Sequence, residues 1–253
     1  MAFIDINCDM GEAFGNYPMP NDIILLDYIS SASIACGYHA GDPQVMQDTV
    51  NAAIKKGVSI GAHPGLPDLQ GFGRREMKIS ANEAYQITLY QIGALYAFVK
   101  AAHGKLNHVK AHGALYNMAA KDPALARAIV SAVYDFDPSL ILFALAGSEM
   151  LSAASNIGLK IASEVFADRT YQDDGSLTPR TQSNAMITGD KQSLDQVLLM
   201  VKNKQVVSVN KKVIPLQADT LCIHGDGAHA VDFAKTIHQT MLAEGITIKA
   251  SAH

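Results

Sequence analysis

Hydrophobic residues along the chain fall into short runs that alternate with longer, helically periodic stretches. Phe3 to Asp9 sets Ile4, Ile6 and Cys8 on one face and Asp5, Asn7 and Asp9 on the other, the two-residue period of a strand. A helix around Ile23 to Ser31 and a short apolar strand from Ser33 to Cys36 follow. Asp42 is placed to cap the next helix, Pro43 suits its first position and Gly57 its end. Val58 to Ala62 reads as a third strand, and Ser80 with Glu83 forms a capping-box pattern opening a long helix to about His103.

The alternation continues to the end. Val109 to Ala111 is a fourth strand, and Asp122-Pro123 starts a helix ending near Tyr134. Leu140 to Leu145 is a fifth strand, a helix runs from Ser148 to Gly158, and Lys160 to Phe166 is a sixth strand. Asp190 is placed to cap a helix to Lys202, and Val206 to Asn210 pairs with Lys212 to Leu216 as a side hairpin. Thr220 to His224 is the final strand, and a helix from His229 to Glu244 precedes Gly245. Strand–helix alternation without linker, repeat or low-complexity segment argues for one α/β domain over residues 1–253 built on a parallel sheet. Seven strand–helix units fit a barrel better than an open sheet, with a doubly wound sheet as the alternative. No GxGxxG follows the first strand and no GxxxxGK[ST] occurs, so neither dinucleotide nor P-loop binding has a motif.

Composition narrows this further. Hydrophobic residues make up 49% of 253, enough for a large core, and the formal charge of −4 gives no electrostatic reason to bind nucleic acid. Asp5 and Asp9 interrupt the first apolar residues, so no signal-peptide core is expected, and the run from Leu140 to Ala146 is too short to span a bilayer. Cys8, Cys36 and Cys222 are odd in number and widely spaced, which suits reduced thiols in a cytoplasmic protein.

The chemistry lies at the strand ends. The first strand ends in Asn7, Asp9 and Glu12, and His39 and Asp42 follow the second, His63 and Asp68 the third, and His112 the fourth. Glu164 is on the sixth strand, with Asp168 and Arg169 after it, and the last leads to His224, Asp226 and His229. In parallel barrels the carboxyl ends of the strands converge on one face, where active sites are built. Imidazoles and carboxylates sharing one cavity can do acid–base chemistry. Arg74, Arg75, Arg169 and Arg180, in or beside loops, can grip a carboxylate or phosphate. His103, His108, His238 and His253 read as surface residues, His229 as a helix start, and Asp42 as a cap or a substrate contact. Histidines and an aspartate can also hold a divalent ion, but no HExxH or HxH pair is present and the ligands would come from different strands, so a metal is left open.

Several segments resemble the LamB/YcsF family, to which the A subunits of prokaryotic 5-oxoprolinase belong. They are DINCDMGEAFG (Asp5 to Gly15), IACGYHAGDP (Ile34 to Pro43), GAHPGLPDLQGFGRR (Gly61 to Arg75), VKAHGALYN (Val109 to Asn117), EVFADRTYQDDGSLTPR (Glu164 to Arg180) and CIHGD (Cys222 to Asp226). They occur in the family order and cover nearly the whole chain. The chain departs from the family at Ser33, where Asn is usual, and at Ala111, where Pro is usual.

The resemblance implies a (β/α)7 TIM-like barrel of the glycoside hydrolase/deacetylase type. It further implies ATP-dependent opening of the 5-oxoproline lactam to glutamate, in a complex with two partner subunits, B and C. On that reading Asp9 or Glu12 is the general base, and His39, His63 and His112 orient the substrate carbonyl and shuttle protons. Arg169 or Arg75 binds the substrate carboxylate or a phosphate, with Asn7, Glu164 and His224 as further substrate contacts. Two other functions fit the same residues: a metal-dependent deacetylase of an amidated sugar, and a non-catalytic subunit that holds 5-oxoproline. The density of ionisable groups at strand ends argues against the second, because binding alone needs fewer.

Overall fold

The computed structural model describes residues 3–223 and 229–251. From the amino end come β1 (Phe3–Met10), α1 (Asp22–Leu25), β2 (Ser31–Ala35), α2 (Pro43–Lys56), β3 (Ser59–His63) and α3 (Ala81–Ala101). The middle contributes β4 (Leu106–Lys110), α4 (Gly113–Ala119), α5 (Pro123–Phe136), β5 (Ile141–Leu145), α6 (Glu149–Asn156) and β6 (Lys160–Phe166). Then come α7 (Asp190–Asn203), β7 (Gln205–Val207), β8 (Val213–Pro215), β9 (Thr220–Ile223), α8 (Ala230–Ala243) and β10 (Thr247–Ile248).

Strands β1 to β6 pair in sequence order, β6 pairs with β9, and β9 pairs back onto β1, closing a ring of seven strands. Every pairing in that ring is parallel. The (β/α)7 barrel is therefore present and the open-sheet alternative falls. β7 and β8 form the expected antiparallel hairpin outside it.

The alternation read in β1 is buried on both sides. Ile4, Ile6, Cys8 and Met10 are fully buried in the main apolar core, which they share with Ile92, Leu95 and Val99 of α3 and Ile129 and Val133 of α5. Asp5 and Asn7, equally buried, turn into the barrel. There Asp5 accepts hydroxyl hydrogen bonds from Ser30 (2.6 Å), Ser31 (2.8 Å) and Thr220 (2.6 Å). Most TIM barrels fill this space with branched aliphatic residues. Among the described residues, Ile141, Phe143 and Ala162 form a small apolar plug here.

Local signals set many boundaries. Asp42 caps α2 by accepting from the Val45 N–H (2.9 Å), and Ser80 with Glu83 closes a reciprocal capping box at α3. Other boundaries differ from expectation. α1 is a single turn, because Ser31 already pairs with Asn7 and Ser59 in the barrel. Gly189, not Asp190, occupies the cap position of α7, and Asp190 lies in its first turn. α4 and β10 carry too few residues for a period to show. His108 is not a surface residue: it is fully buried on β4, stacked on Phe143 at 4.0 Å with Ser33 Oγ 3.2 Å from its Nε2. Ser33, one of the two departures from the family pattern, thus makes a contact inside the barrel. His103 is exposed and His238 half-buried.

Candidate active site

Strand parity carries Asn7 and Asp9 of β1, Lys110 of β4 and Glu164 of β6 into the barrel, near its carboxyl end. Lys110 is at their centre and is buried. Its Nζ is 2.6 Å from Asp9 Oδ1 and 3.0 Å from Glu164 Oε1, and it donates to Asn7 Oδ1 at 2.8 Å. Glu164, fully buried, also accepts from Asn7 Nδ2 (3.0 Å) and from the Tyr116 hydroxyl (2.7 Å). Burial alone would discharge the lysine, but Asp9, Cys222 and Glu164 outweigh it and hold its pKa well above the ordinary range. Lys110 is thus a fixed cation between two carboxylates.

Above this layer the last residue of β3 and the loops after β1, β2 and β4 bring His63, Glu12, His39 and His112 together. His39 Nε2 is 3.1 Å from Glu12 Oε1, His112 Nδ1 is 3.4 Å from the same oxygen, and His63 Nε2 is 3.3 Å from Asp9 Oδ2. His63 and His112 face each other through Nε2 and Nδ1 at 2.9 Å. His39 and His112 stack with ring centres 3.7 Å apart. The segment between β3 and α3 folds over the cluster, and Gly73 lets it come so close. At φ 62°, a Cβ there would lie 2.7 Å from His39 Cβ and 2.9 Å from His112 Cδ2.

His39 and His112 are poor proton carriers as they stand. Burial, followed by the neighbouring rings, holds His112 well below the ordinary histidine range, and burial with His63 beside it does the same to His39. Burial raises Glu12, Asp9 pushing the same way, against the pull of His112 and His63. Glu12, His39, His63 and His112 offer ligand atoms within 4.8 Å of one another, a grouping able to hold a metal ion. The cysteines are free, and burial pushes the Cys36 thiol up to about 12, so it is no nucleophile at neutral pH.

A cleft opens over Asp9, His63, Lys110 and Glu164, with Arg74, Arg169 and Arg180 on its walls. Arg169 is buried, and its guanidinium donates to the carbonyls of Thr178 (2.7 Å) and Ala185 (3.4 Å). Burial and the nearby Arg180 lower its pKa to about 10, so it remains a cation at neutral pH. A floor of carboxylate, ammonium and imidazole under guanidinium walls suits a small substrate with one anionic and one polar neutral end.

Of the residues singled out in the sequence, Asp9, Glu12, His39, His63 and His112 meet in one cluster, Glu164 and Arg169 line the adjoining cleft, and Asn7 lies beneath it. Arg75 does not join them: its side chain is 64% exposed and braces Asp68 within the loop. His224 and Asp226 lie outside the described residues, and His229 stands at the N-cap of α8. Lys110 and Tyr116 went unnoticed in the sequence. The signal for Lys110 was parity: with Val109 facing the helices, His108 and Lys110 must point inward.

The whole chain has known relatives. The LamB/YcsF family matches residues 4–253. A protein of Tolumonas auensis, named as the A subunit of 5-oxoprolinase, is 58% identical over 250 residues, covering 99% of this chain and 100% of that one. The crystal structure of a lactam utilization protein from Thermus thermophilus superposes with a TM-score of 0.92 at 40% identity, covering 98% of this chain and all of that one. The catalytic domain of a peptidoglycan N-acetylglucosamine deacetylase from Eubacterium rectale shares the fold alone, at a TM-score of 0.53 and 12% identity, covering 99% of this chain and 88% of that one. Family match and full-length identity together make this chain a member of the LamB/YcsF family.

Proposed function

We propose that this chain is the A subunit of an ATP-dependent 5-oxoprolinase, which opens the lactam of 5-oxo-L-proline to L-glutamate together with partner subunits B and C. Full-length identity of 58% to a protein named as the A subunit of 5-oxoprolinase carries the reading, and the cleft suits the chemistry. 5-Oxoproline has one carboxylate and a neutral five-membered amide. Arg169, a cation buried in the cleft wall, binds the carboxylate. The amide then lies over Asp9, His63 and His112.

A lactam carbonyl is a weak electrophile, and ATP supplies the activation. Transfer of the γ-phosphoryl group to the lactam oxygen releases ADP and makes the ring carbon electrophilic. Asp9, paired with Lys110, takes a proton from the attacking water. The ring C–N bond breaks, the nitrogen takes up a proton, and an acyl phosphate remains that a second water hydrolyses to glutamate and phosphate. Arg74 and Arg180, facing the same cleft, are positioned to meet phosphoryl charge. The site histidines orient the reacting amide and the waters. The chain has no P-loop motif. One barrel domain spanning residues 1–253 does this work in the cytoplasm, where free buried thiols and ATP both belong. No helix among the described residues is long and apolar enough to cross a membrane.

The test is glutamate release from 5-oxoproline and ATP by the chain alone and with its B and C partners. Turnover confined to the mixture, and lost in Asp9→Asn, supports the reading. Full turnover with Asp9→Asn removes Asp9 as the base. Absence of turnover in every mixture, with deacetylation of an N-acetylated sugar by the chain alone, transfers the site to amide hydrolysis on carbohydrate.

A further inference from the structure

The histidine cluster has a feature that acid–base chemistry leaves unexplained. A carbonyl oxygen only accepts hydrogen bonds. His63 Nδ1 lies 2.7 Å from the Lys110 carbonyl and His112 Nε2 lies 2.8 Å from the Phe72 carbonyl, so these two nitrogens carry the ring hydrogens. His63 Nε2 and His112 Nδ1 are therefore bare in the neutral rings, and they point at each other across 2.9 Å. Beyond them stand Asp9 Oδ2, 3.3 Å from His63 Nε2, and Glu12 Oε1, 3.4 Å from His112 Nδ1. Four electron-pair donors thus stand in series with no hydrogen between them.

Protons resolve this badly. One proton on His112 Nδ1 leaves His63 Nε2 facing Asp9 lone pair to lone pair, and one on His63 Nε2 leaves His112 Nδ1 facing Glu12 in the same way. Two protons, one on each ring, set two N–H groups against each other across 2.9 Å. A single cation satisfies every contact at once. Ligands about 2.1 Å from a tetrahedral ion lie roughly 3.4 Å apart, close to the separations seen here.

We propose that Glu12 Oε1, His63 Nε2 and His112 Nδ1 form the three-ligand site of a divalent transition-metal ion whose remaining position faces the cleft beside Asp9. Backbone carbonyls holding the outer ring N–H groups are the arrangement that orients metal-binding imidazoles. Two imidazoles and one carboxylate suit zinc, cobalt or nickel rather than magnesium or calcium. When bound, such an ion acts as a Lewis acid at that position.

His39 is close enough to be a fourth ligand but is turned wrongly. Its ring lies 4° from parallel with His112 at 3.7 Å, and an ion in the plane of one ring lies well out of the plane of the other. His39 instead donates from Nε2 to Glu12 Oε1 at 3.1 Å, and its Nδ1, buried without a partner, is the bare nitrogen of that tautomer. It is a positioning residue for Glu12. Glu12 thereby leaves the general-base role to Asp9. The inference does not depend on the lactam reading.

The experiment uses the full chain without partners or substrate. Metal content is measured as purified, and the chelator-treated chain is then titrated with Co2+, followed by its visible absorption and by calorimetry. One ion per chain is expected. Binding should weaken by more than 100-fold in Glu12→Gln and His112→Ala, and by roughly 10- to 100-fold at unchanged stoichiometry in His39→Ala. The circular dichroism spectrum checks that each variant is folded, and the isosteric Glu12→Gln decides the matter if His112→Ala is not. Failure of Co2+ to bind at about 1 mM, equal binding in Glu12→Gln, or a hydrogen-bonded imidazole proton shared by His63 and His112 in the NMR spectrum of the chelator-free protein would overturn the assignment. Loss of binding in His39→Ala as complete as in His112→Ala would return His39 to the ligand set.

Discussion

Lys110→Met is the most informative single perturbation of this barrel. The substitution keeps much of the volume and removes the ammonium that sits 2.6 Å from Asp9 and 3.0 Å from Glu164. Glu164 is fully buried, and its remaining donors are the Asn7 amide and the Tyr116 hydroxyl. Removing one partner from a buried ion pair costs about 3–5 kcal/mol, chiefly because the other charge is stranded. In a chain of this size that corresponds to a fall in Tm of roughly 6–20 °C. The measurement is urea and thermal unfolding of wild type, Lys110→Met, Glu164→Gln and the double variant at neutral pH. Gln at 164 still accepts from Asn7 and Tyr116 but carries no charge, so the double variant should be ~1–3 kcal/mol more stable than Lys110→Met alone. The deficit of the single variant should also shrink as pH falls, because protonating the stranded carboxylates removes the uncompensated charge. A loss below about 1 kcal/mol in Lys110→Met, or strictly additive effects in the double variant, would refute the view that this lysine neutralises the barrel interior.

Three further outcomes follow from the same structure. Burial pushes Asp5 up to about 6, against the hydrogen bonds from Ser30, Thr220 and Ser31. The unfolded chain ionises this group near pH 4 and the folded chain only near pH 6, so folding stability falls by about 3 kcal/mol as pH rises through and above that window. Unfolding of wild type and Asp5→Asn should therefore diverge between pH 4 and pH 7 in the variant's favour, whereas parallel curves would count against the shift. A Cβ at Gly61 would lie 2.1 Å from the His108 ring, so Gly61→Ala should lower stability by about 1–3 kcal/mol through overpacking, and an unchanged urea midpoint would show that the ring moves freely. Arg169→Lys loses the planar fork proposed to hold the substrate carboxylate, so the assembled complex should lose roughly 10- to 100-fold in kcat/KM, mainly through KM, and unaltered kinetics would remove Arg169 from substrate binding.

The sequence by itself determined the strand–helix alternation, and its seven units favoured a barrel over an open sheet. Each of the seven ring strands announced itself through parity or a short apolar run, and most helices through caps such as Asp42, Ser80 with Glu83, and Asp122, because these signals act within a few residues of chain. It also placed Asp9, Glu12, His39, His63 and His112 after successive strands, and closure of a parallel sheet brings strand ends together whatever the detail. The tertiary structure alone decided what those residues do to one another. Lys110 reads as an ordinary strand residue until the barrel closes and β1 and β6 present two carboxylates to it across the interior. Arg75 looks as suitable as Arg169 until one side chain turns to Asp68 in the loop and the other into the cleft wall. His39 and His112 look equivalent until their rings stack and only one can address the same point as His63. Directions of side chains, tautomers and the pairing of buried charge are set by neighbours tens of residues away, and a linear pattern carries no angle.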